Sequence, residues 1–274
     1  MAVEELKKTL VLGHRNPDTD SICSAICYAG FKHQLTGENY EPCRAGNVNP
    51  ETQYVLDYFK LKAPRLVENV KTQVKDIEIR KTKGVSRGIS LKNAWGLMQE
   101  NNVVTLPCVT EEGLLEGVIT IGDITKSYMN LYDSSIISKA CTKYANILDT
   151  LEGSMVVGDS EAYFDRGKVL IAAANPDLME NYIEKHDLVI LGNRYESQLC
   201  AIEMEAGCII VCEGAGVSLT IRKLAQERGC AVITTPYDTY TTARLINQSM
   251  PISYFMTKEN IIEFSEEDYL DDIR

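Results

Sequence analysis

The chain has 274 residues and a formal net charge of −11. Its length accommodates two or more domains with their own cores, and its acidic balance argues against a nucleic-acid backbone or an anionic membrane as the main partner. No apolar run approaches the roughly 18 residues of a membrane span, and Met1-Ala2-Val3-Glu4-Glu5 is not a signal peptide, so a cytoplasmic protein is expected. A hydrophobic share of 45% and a charged share of 24% are those of a globular chain. The 9 cysteines read as reduced thiols packed as small hydrophobes. Their closest pairs, Cys23/Cys27 and Cys208/Cys212, are four apart, no C-x-x-C occurs, and 3 histidines leave little for a structural zinc.

Residues 9–12 form an apolar run that ends in Gly13, and one imidazole and two carboxylates follow at once: His14, Asp18 and Asp20. A strand ending in such a loop places these side chains at the carboxyl edge of a sheet, where α/β folds bind ligands. Mixed nitrogen and oxygen donors suit a divalent ion such as Mn²⁺ or Mg²⁺. The competing reading is an Asn-Pro-Asp turn, with Asp20 or Ser21 capping a helix that begins near Ile22. That helix is expected to bury Ile22, Ala25, Ile26, Ala29 and Phe31 and to stop at Gly37. A strand over 41–45, a helix opened by Pro50, and an extended piece over 64–67 complete a parallel α/β beginning.

Residues 79–88 are basic and turn-rich. Ser90 then caps a helix carrying Leu91, Ala94, Trp95 and Met98. Strands over 103–109 and 114–121 pair back through Glu111-Glu112-Gly113, and Gly117-Val118-Ile119-Thr120-Ile121-Gly122-Asp123 leads into another helix. Thr82-Lys83 and Ser90 recur at the same spacing as Thr257-Lys258 and Ser265, so a second copy of this unit begins and stops within its first helix; the chain reads as truncated. In that copy the acidic run 266–272 is expected to be one helix, with carboxylates outward and Tyr269, Leu270 and Ile273 inward.

Between the copies, strands are expected at 188–191, 208–212 and 231–234, each followed by a loop and a helix, as in βαβ crossovers. Glu213-Gly214-Ala215-Gly216 could cradle a phosphate. It lacks the lysine and Ser/Thr of a P-loop, which favours a plain tight turn.

The motif Gly13-His14-x-Asn16-Pro17-Asp18-x-Asp20-Ser21 resembles the start of a manganese-dependent (family II) inorganic pyrophosphatase of the DHH phosphoesterase superfamily. Gly46-x-Val48-Asn49-Pro50-Glu51-Thr52-Gln53-Tyr54 and Pro64-Arg65-Leu66-Val67 carry the same resemblance. Residues 70–130 resemble a CBS domain, 131–248 a DRTGG domain and 249–274 the opening of a second CBS domain. In the DRTGG part, Asn193-Arg194 stands where the motif has Asp-Arg, and Glu213-Gly214-Ala215-Gly216 replaces Thr-Gly-Gly. The implied fold is α/β: the N-terminal part of a DHH parallel-sheet domain (1–69), then the CBS, DRTGG and second CBS parts.

The resemblance implies two Mn²⁺ ions (Co²⁺ or Mg²⁺ as alternatives) in a complete site that splits pyrophosphate into two phosphates. His14 and Asp18 would ligate one ion and Asp20 the other. The family's further ligands and its substrate-gripping lysine and arginine have no counterpart here, so this polypeptide alone is expected to be inactive. Gly117, Thr120 and Asp123 match the CBS nucleotide-contact pattern; the plainer reading is a strand-to-helix turn with Asp123 as N-cap. The implied effectors are AMP, ADP, ATP and diadenosine polyphosphates, and the implied assembly is a homodimer through the CBS domains. Two other readings are a nucleotide-sensing CBS/DRTGG module without catalysis and another DHH phosphoesterase.

Overall fold

A computed structural model describes residues 8–79, 81–129 and 133–273. The chain divides into two compact units, one of residues up to 79 with those from 264 onward, the other spanning 81–263.

The first unit is built on β1 (Thr9–Leu12), α1 (Thr19–Thr36), β2 (Tyr40–Arg44), α2 (Pro50–Tyr58) and β3 (Arg65–Leu66). The strands are parallel and ordered β1-β2-β3. Asp18 caps α1 by accepting the Ser21 amide at 2.9 Å, so the helix starts three residues before Ile22. Gly37 ends it in the left-handed conformation, φ 74°, donating its N–H to the His33 carbonyl. Ile22, Ala25 and Ala29 form the buried stripe, whereas Phe31, two residues past Ala29 and on the opposite side of the helix, is 60% exposed. Asn49 caps α2, whose buried side chains are Thr52 and Leu56.

Residues 264–273 do not form the expected helix. Tyr269 bridges to Gln73, and Leu270 donates its N–H to Thr72 O at 3.0 Å, which commits to a neighbouring segment an amide that a helix would need. A single 3₁₀ turn, Leu270–Asp272, remains.

The second unit opens with α3 (Leu91–Glu100), β4 (Thr105–Val109), β5 (Leu115–Thr120) and α4 (Ile121–Met129). β4 and β5 form an antiparallel hairpin, with Val85 bridging Cys108 on one side and Thr257 bridging Val118 on the other. There follow α5 (Ile136–Lys139), β6 (Thr142–Lys143), α6 (Tyr144–Thr150), β7 (Ser154–Val157), β8 (Tyr163–Phe164), β9 (Val169–Ile171), α7 (Pro176–Met179), β10 (Leu188–Leu191), α8 (Tyr195–Glu203), β11 (Cys208–Val211), α9 (Leu219–Arg228), β12 (Ala231–Thr234) and α10 (Thr239–Leu245). A five-stranded sheet runs β7-β12-β11-β10-β9, parallel except for β7.

Every residue of β10 and β11 is buried, because both faces of this sheet are covered. Val189, Leu191, Ile209 and Val211 pack with α8 and α9 on one face. Leu188, Ile190, Cys208 and Ile210 share the other face with Leu91, Met98, Leu106, Ile119 and Met250, so one core joins the hairpin part to the sheet. No helix among the described residues is long and apolar enough to cross a membrane.

Candidate functional site

In the first unit the loop after β1 and the start of α1 bring His14 and Asp18 together, with His14 Nε2 3.4 Å from Asp18 Oδ1 and both side chains more than half exposed. The Ser21 amide, and then the His14 imidazole, hold the Asp18 carboxyl below its usual range, keeping it anionic. Asp20, one helical turn before Ser24, accepts that hydroxyl at 3.3 Å. No three His, Cys, Asp or Glu side chains converge among the described residues, so Asp20 stands apart from the His14–Asp18 pair.

Two glycines set the loop's shape. A Cβ on Gly13 would lie 1.9 Å from Ser21 Oγ, and one on Gly46 would lie 2.5 Å from Arg15 O and 2.7 Å from Pro17 Cδ. Only glycines let β1's loop fold back over the start of α1 and the loop after β2 close on it. Ser21 Oγ is buried there without a hydrogen-bond partner. Thr19 and Thr52 hydroxyls meet at 3.0 Å, which brings the N-termini of α1 and α2 side by side at the sheet's carboxyl edge. Two positive helix ends, one imidazole and exposed carboxylates make a place where a divalent ion and a phosphate anion can be held together. The donor chemistry of His14, Asp18 and Asp20, one nitrogen and carboxylate oxygens, fits Mn²⁺ or Co²⁺. The hydroxyl contact between Thr19 and Thr52 had no signal in the sequence, since it depends on how two helices are placed in space.

In the second unit, Thr120 and Asp123 close on each other. The Thr120 amide and hydroxyl donate to Asp123 Oδ2 at 2.9 and 2.7 Å, and the Asp123 amide donates to Thr120 Oγ1 at 3.2 Å. This is a capping box in which Thr120 is the cap and Asp123 the third helical residue, so the cap is not Asp123. Gly117 is not part of that cluster: a Cβ there would meet Thr257 O at 2.7 Å and Met256 Sδ at 3.1 Å. It makes room for the 256–257 segment, whose Thr257 exchanges two 2.9 Å backbone hydrogen bonds with Val118.

Asn193-Arg194 and Glu213-Gly214-Ala215-Gly216 lie at the carboxyl ends of β10 and β11. The amides of Glu213 and Gly214 donate to Tyr237 O and Thr235 O, each at 2.8 Å. Both residues are left-handed, with φ of 64° and 63°. With these two amides bonded to backbone and the Ala215 amide donating to Cys212 O at 3.3 Å, the loop is the tight turn that its composition favoured.

The second unit, with its β4–β5 hairpin flanked on both sides and a parallel sheet sharing its core, has the architecture of a CBS–DRTGG regulatory region. A CBS domain profile matches residues 74–130 and a DRTGG domain profile matches 146–249. The crystal structure of the CBS and DRTGG domains of the regulatory region of Clostridium perfringens pyrophosphatase, complexed with the activator diadenosine tetraphosphate, superposes with a TM-score of 0.70 at 36% identity, covering 74% of this chain and 88% of that one. A cobalt-dependent inorganic pyrophosphatase of C. perfringens is 39% identical over 96% of this chain and 48% of its own length. A probable manganese-dependent inorganic pyrophosphatase of Thermotoga maritima is 30% identical over 94% and 47%. The manganese-dependent inorganic pyrophosphatase of Bacillus subtilis matches 72 residues at 57% identity, covering 26% of this chain and 23% of its own. The chain belongs to the family of manganese- or cobalt-dependent inorganic pyrophosphatases that carry CBS and DRTGG regulatory domains. It spans about half the length of the C. perfringens and T. maritima relatives.

Proposed function

We propose that this chain supplies metal ligands and the regulatory region of a nucleotide-controlled inorganic pyrophosphatase that uses Mn²⁺ or Co²⁺. The observation that carries the reading is the His14–Asp18 pair, 3.4 Å apart, beside two converging helix N-termini. In this reading His14 and Asp18 hold one ion and Asp20 contributes to a second. Such ions, when bound, lower the pKa of water and offset the charge of phosphate oxygens. The chain's own part is to keep Asp18 ionised through the Ser21 amide and to present the N-termini of α1 and α2 to the pyrophosphate anion. Gly13 and Gly46 hold the loops close.

Adenine nucleotides would act at the Thr120–Asp123 turn, with ATP or diadenosine polyphosphates as activators and AMP or ADP as inhibitors. The relative's regulatory region, crystallised with diadenosine tetraphosphate, supports this class of effector. An effector shifts activity only by the difference in its affinity for two arrangements of the protein. Domain limits of 1–69, 70–130, 131–248 and 249–274 follow from the same reading. Homodimerisation through the CBS helices is supported by Trp95 and Met129, 41% and 73% exposed on α3 and α4. A cytoplasmic setting suits the free thiols.

Mn²⁺ titration followed by electron paramagnetic resonance tests the metal site without needing turnover. His14→Ala and Asp18→Asn should each weaken Mn²⁺ binding by at least the roughly tenfold that losing even an outer-shell partner of a ligand costs. Unchanged Mn²⁺ affinity in both variants would remove this loop from the site. Pyrophosphate hydrolysis by the 274-residue chain alone at ordinary enzyme rates would overturn the count of three ligands.

A further inference from the structure

A cavity of about 870 Å³ lies in the second unit, lined by Arg87, Glu111, Lys143, Tyr163, Tyr254 and Lys258 among others. It is not at the Thr120–Asp123 turn. Thr120 pairs with Thr105 at one end of the β4–β5 hairpin, whereas Val109 pairs with Leu115 at the other, and Glu111 lies just past that second end. The cavity therefore opens at the far end of the hairpin, where the first CBS part, the DRTGG part and the segment starting the second CBS part each contribute one cation.

Three cations face one lining carboxylate. Arg87 and Lys143 also pair with Glu116 and Glu161, outside the lining, but in each pair one side chain, Arg87 or Glu161, is largely solvated, which keeps the pair weak. Lys258 makes no salt bridge among the described residues. The wall is fixed in advance: Ser253 N donates to Arg87 O at 3.0 Å, Ile252 N to Ile89 O at 2.9 Å, and Asn146 Nδ2 to Gly88 O at 3.0 Å. A preorganised wall keeps down the ordering cost of binding. The volume is that of a cofactor-sized ligand rather than a single phosphate. Tyr163 and Tyr254, 58% and 47% exposed, offer ring faces at its edge.

We propose that this cavity is a second effector site, separate from the Thr120–Asp123 turn, that binds a polyphosphate anion, either free or as the chain of a nucleoside polyphosphate. A ligand held by Arg87, Lys143 and Lys258 at once clamps three segments, so it favours one arrangement of the region over others. The cation set and the cavity stand independently of how the turn is used.

Cys141 lines the same cavity and is exposed, which makes it a reporter, while exposed Cys27 serves as the control. Thiol modification of the 274-residue chain is followed with ATP and with pyrophosphate, alongside calorimetry. At least one of the two should slow labelling of Cys141 and leave Cys27 unchanged; the tighter binder identifies the source of the polyphosphate. The Lys143→Gln/Lys258→Gln variant should lose that protection and bind about tenfold more weakly, while Asp123→Asn keeps it. The proposal is overturned if neither anion protects Cys141, or if protection survives in the double variant. It is equally overturned if Asp123→Asn alone removes protection. Unchanged nucleotide affinity in Asp123→Asn, with Cys141 still protected, would instead count against the proposed use of the turn and for this site.

Discussion

The Thr120 hydroxyl donates to Asp123 Oδ2 at 2.7 Å while the Asp123 amide returns a hydrogen bond to Thr120 Oγ1 at 3.2 Å. The two side chains proposed to meet a nucleotide are already bonded to each other. Any nucleotide bound at this turn would have to compete with the box, whose part in the fold is to cap α4. Thr120→Ala should destabilise the second unit by about 1 kcal/mol, the usual loss for a cap, read as a lower urea midpoint with unchanged slope. Thr120→Ser keeps the hydroxyl and should restore the midpoint. An unchanged midpoint in Thr120→Ala would mean that α4 does not depend on this box.

Gly117 acts three residues earlier on the same strand and for a different reason. A methyl group there would sit 2.7 Å from Thr257 O, on the strand face where Val118 and Thr257 exchange backbone hydrogen bonds. Backbone cannot retreat as a flexible side chain can, so Gly117→Ala should cost roughly 1–3 kcal/mol and detach the 256–257 segment. Faster hydrogen exchange at the Thr257 amide, with the Ile119 amide little changed, is the expected signature. Equal protection at Thr257 in both proteins would show that the segment is held elsewhere.

What could be read from residue order was what has a local cause. The strands 188–191 and 231–234 stand where continuous apolar runs placed them, because both faces of that sheet are covered. Ser90 caps α3 through the Asn93 amide, as a serine before an apolar helical pattern should. The elements between 133 and 186 were not foreseen: β6 and β8 are two residues each, and α5 and α7 four, too short to show any period. The helix expected over 266–272 failed for a long-range reason, the bridge from Tyr269 to Gln73, nearly two hundred residues away. At the candidate sites, His14, Asp18, Thr120 and Asp123 were legible as motifs. The cavity cations were not, since Arg87, Lys143 and Lys258 meet only through the fold.

The thiols separate by burial. Cys27 and Cys141 are exposed and Cys23 half-buried, whereas Cys43, Cys108, Cys200, Cys208, Cys212 and Cys230 are buried. Burial, with a smaller push from Glu116, raises the Cys108 thiol to about 11, and burial raises Cys230 to about 12. Only the thiolate reacts, so these groups are both hidden and protonated at pH 8. A chromogenic disulfide reagent should label Cys27 and Cys141 quickly, Cys23 more slowly, and the remaining six only on unfolding. Rapid labelling of Cys208 or Cys230 in the folded chain would show that the five-stranded sheet opens far more readily than its burial implies.

Glu41 ties the first unit's sheet together. It lies on the central strand β2, pairs with Lys8 at 2.8 Å just before β1, and receives two 3.2 Å hydrogen bonds from Arg65 on β3. Arg65, and then Lys8, hold its carboxyl below the usual value. A carboxyl with a depressed folded-state pKa stabilises above its unfolded pKa and loses that contribution as pH falls through the folded one. The first unit should therefore weaken on acidification below about pH 4.5, the ordinary value for this group. The pair is partly solvated, so the loss should be no more than about 1 kcal/mol and smaller still at high salt. Glu41→Gln should remove that part of the acid limb while leaving stability at pH 3 close to the parent's. Hydrogen exchange at the β1 and β3 amides between pH 3 and pH 6 measures it, and an equally steep acid limb in Glu41→Gln would assign the titration to another carboxylate.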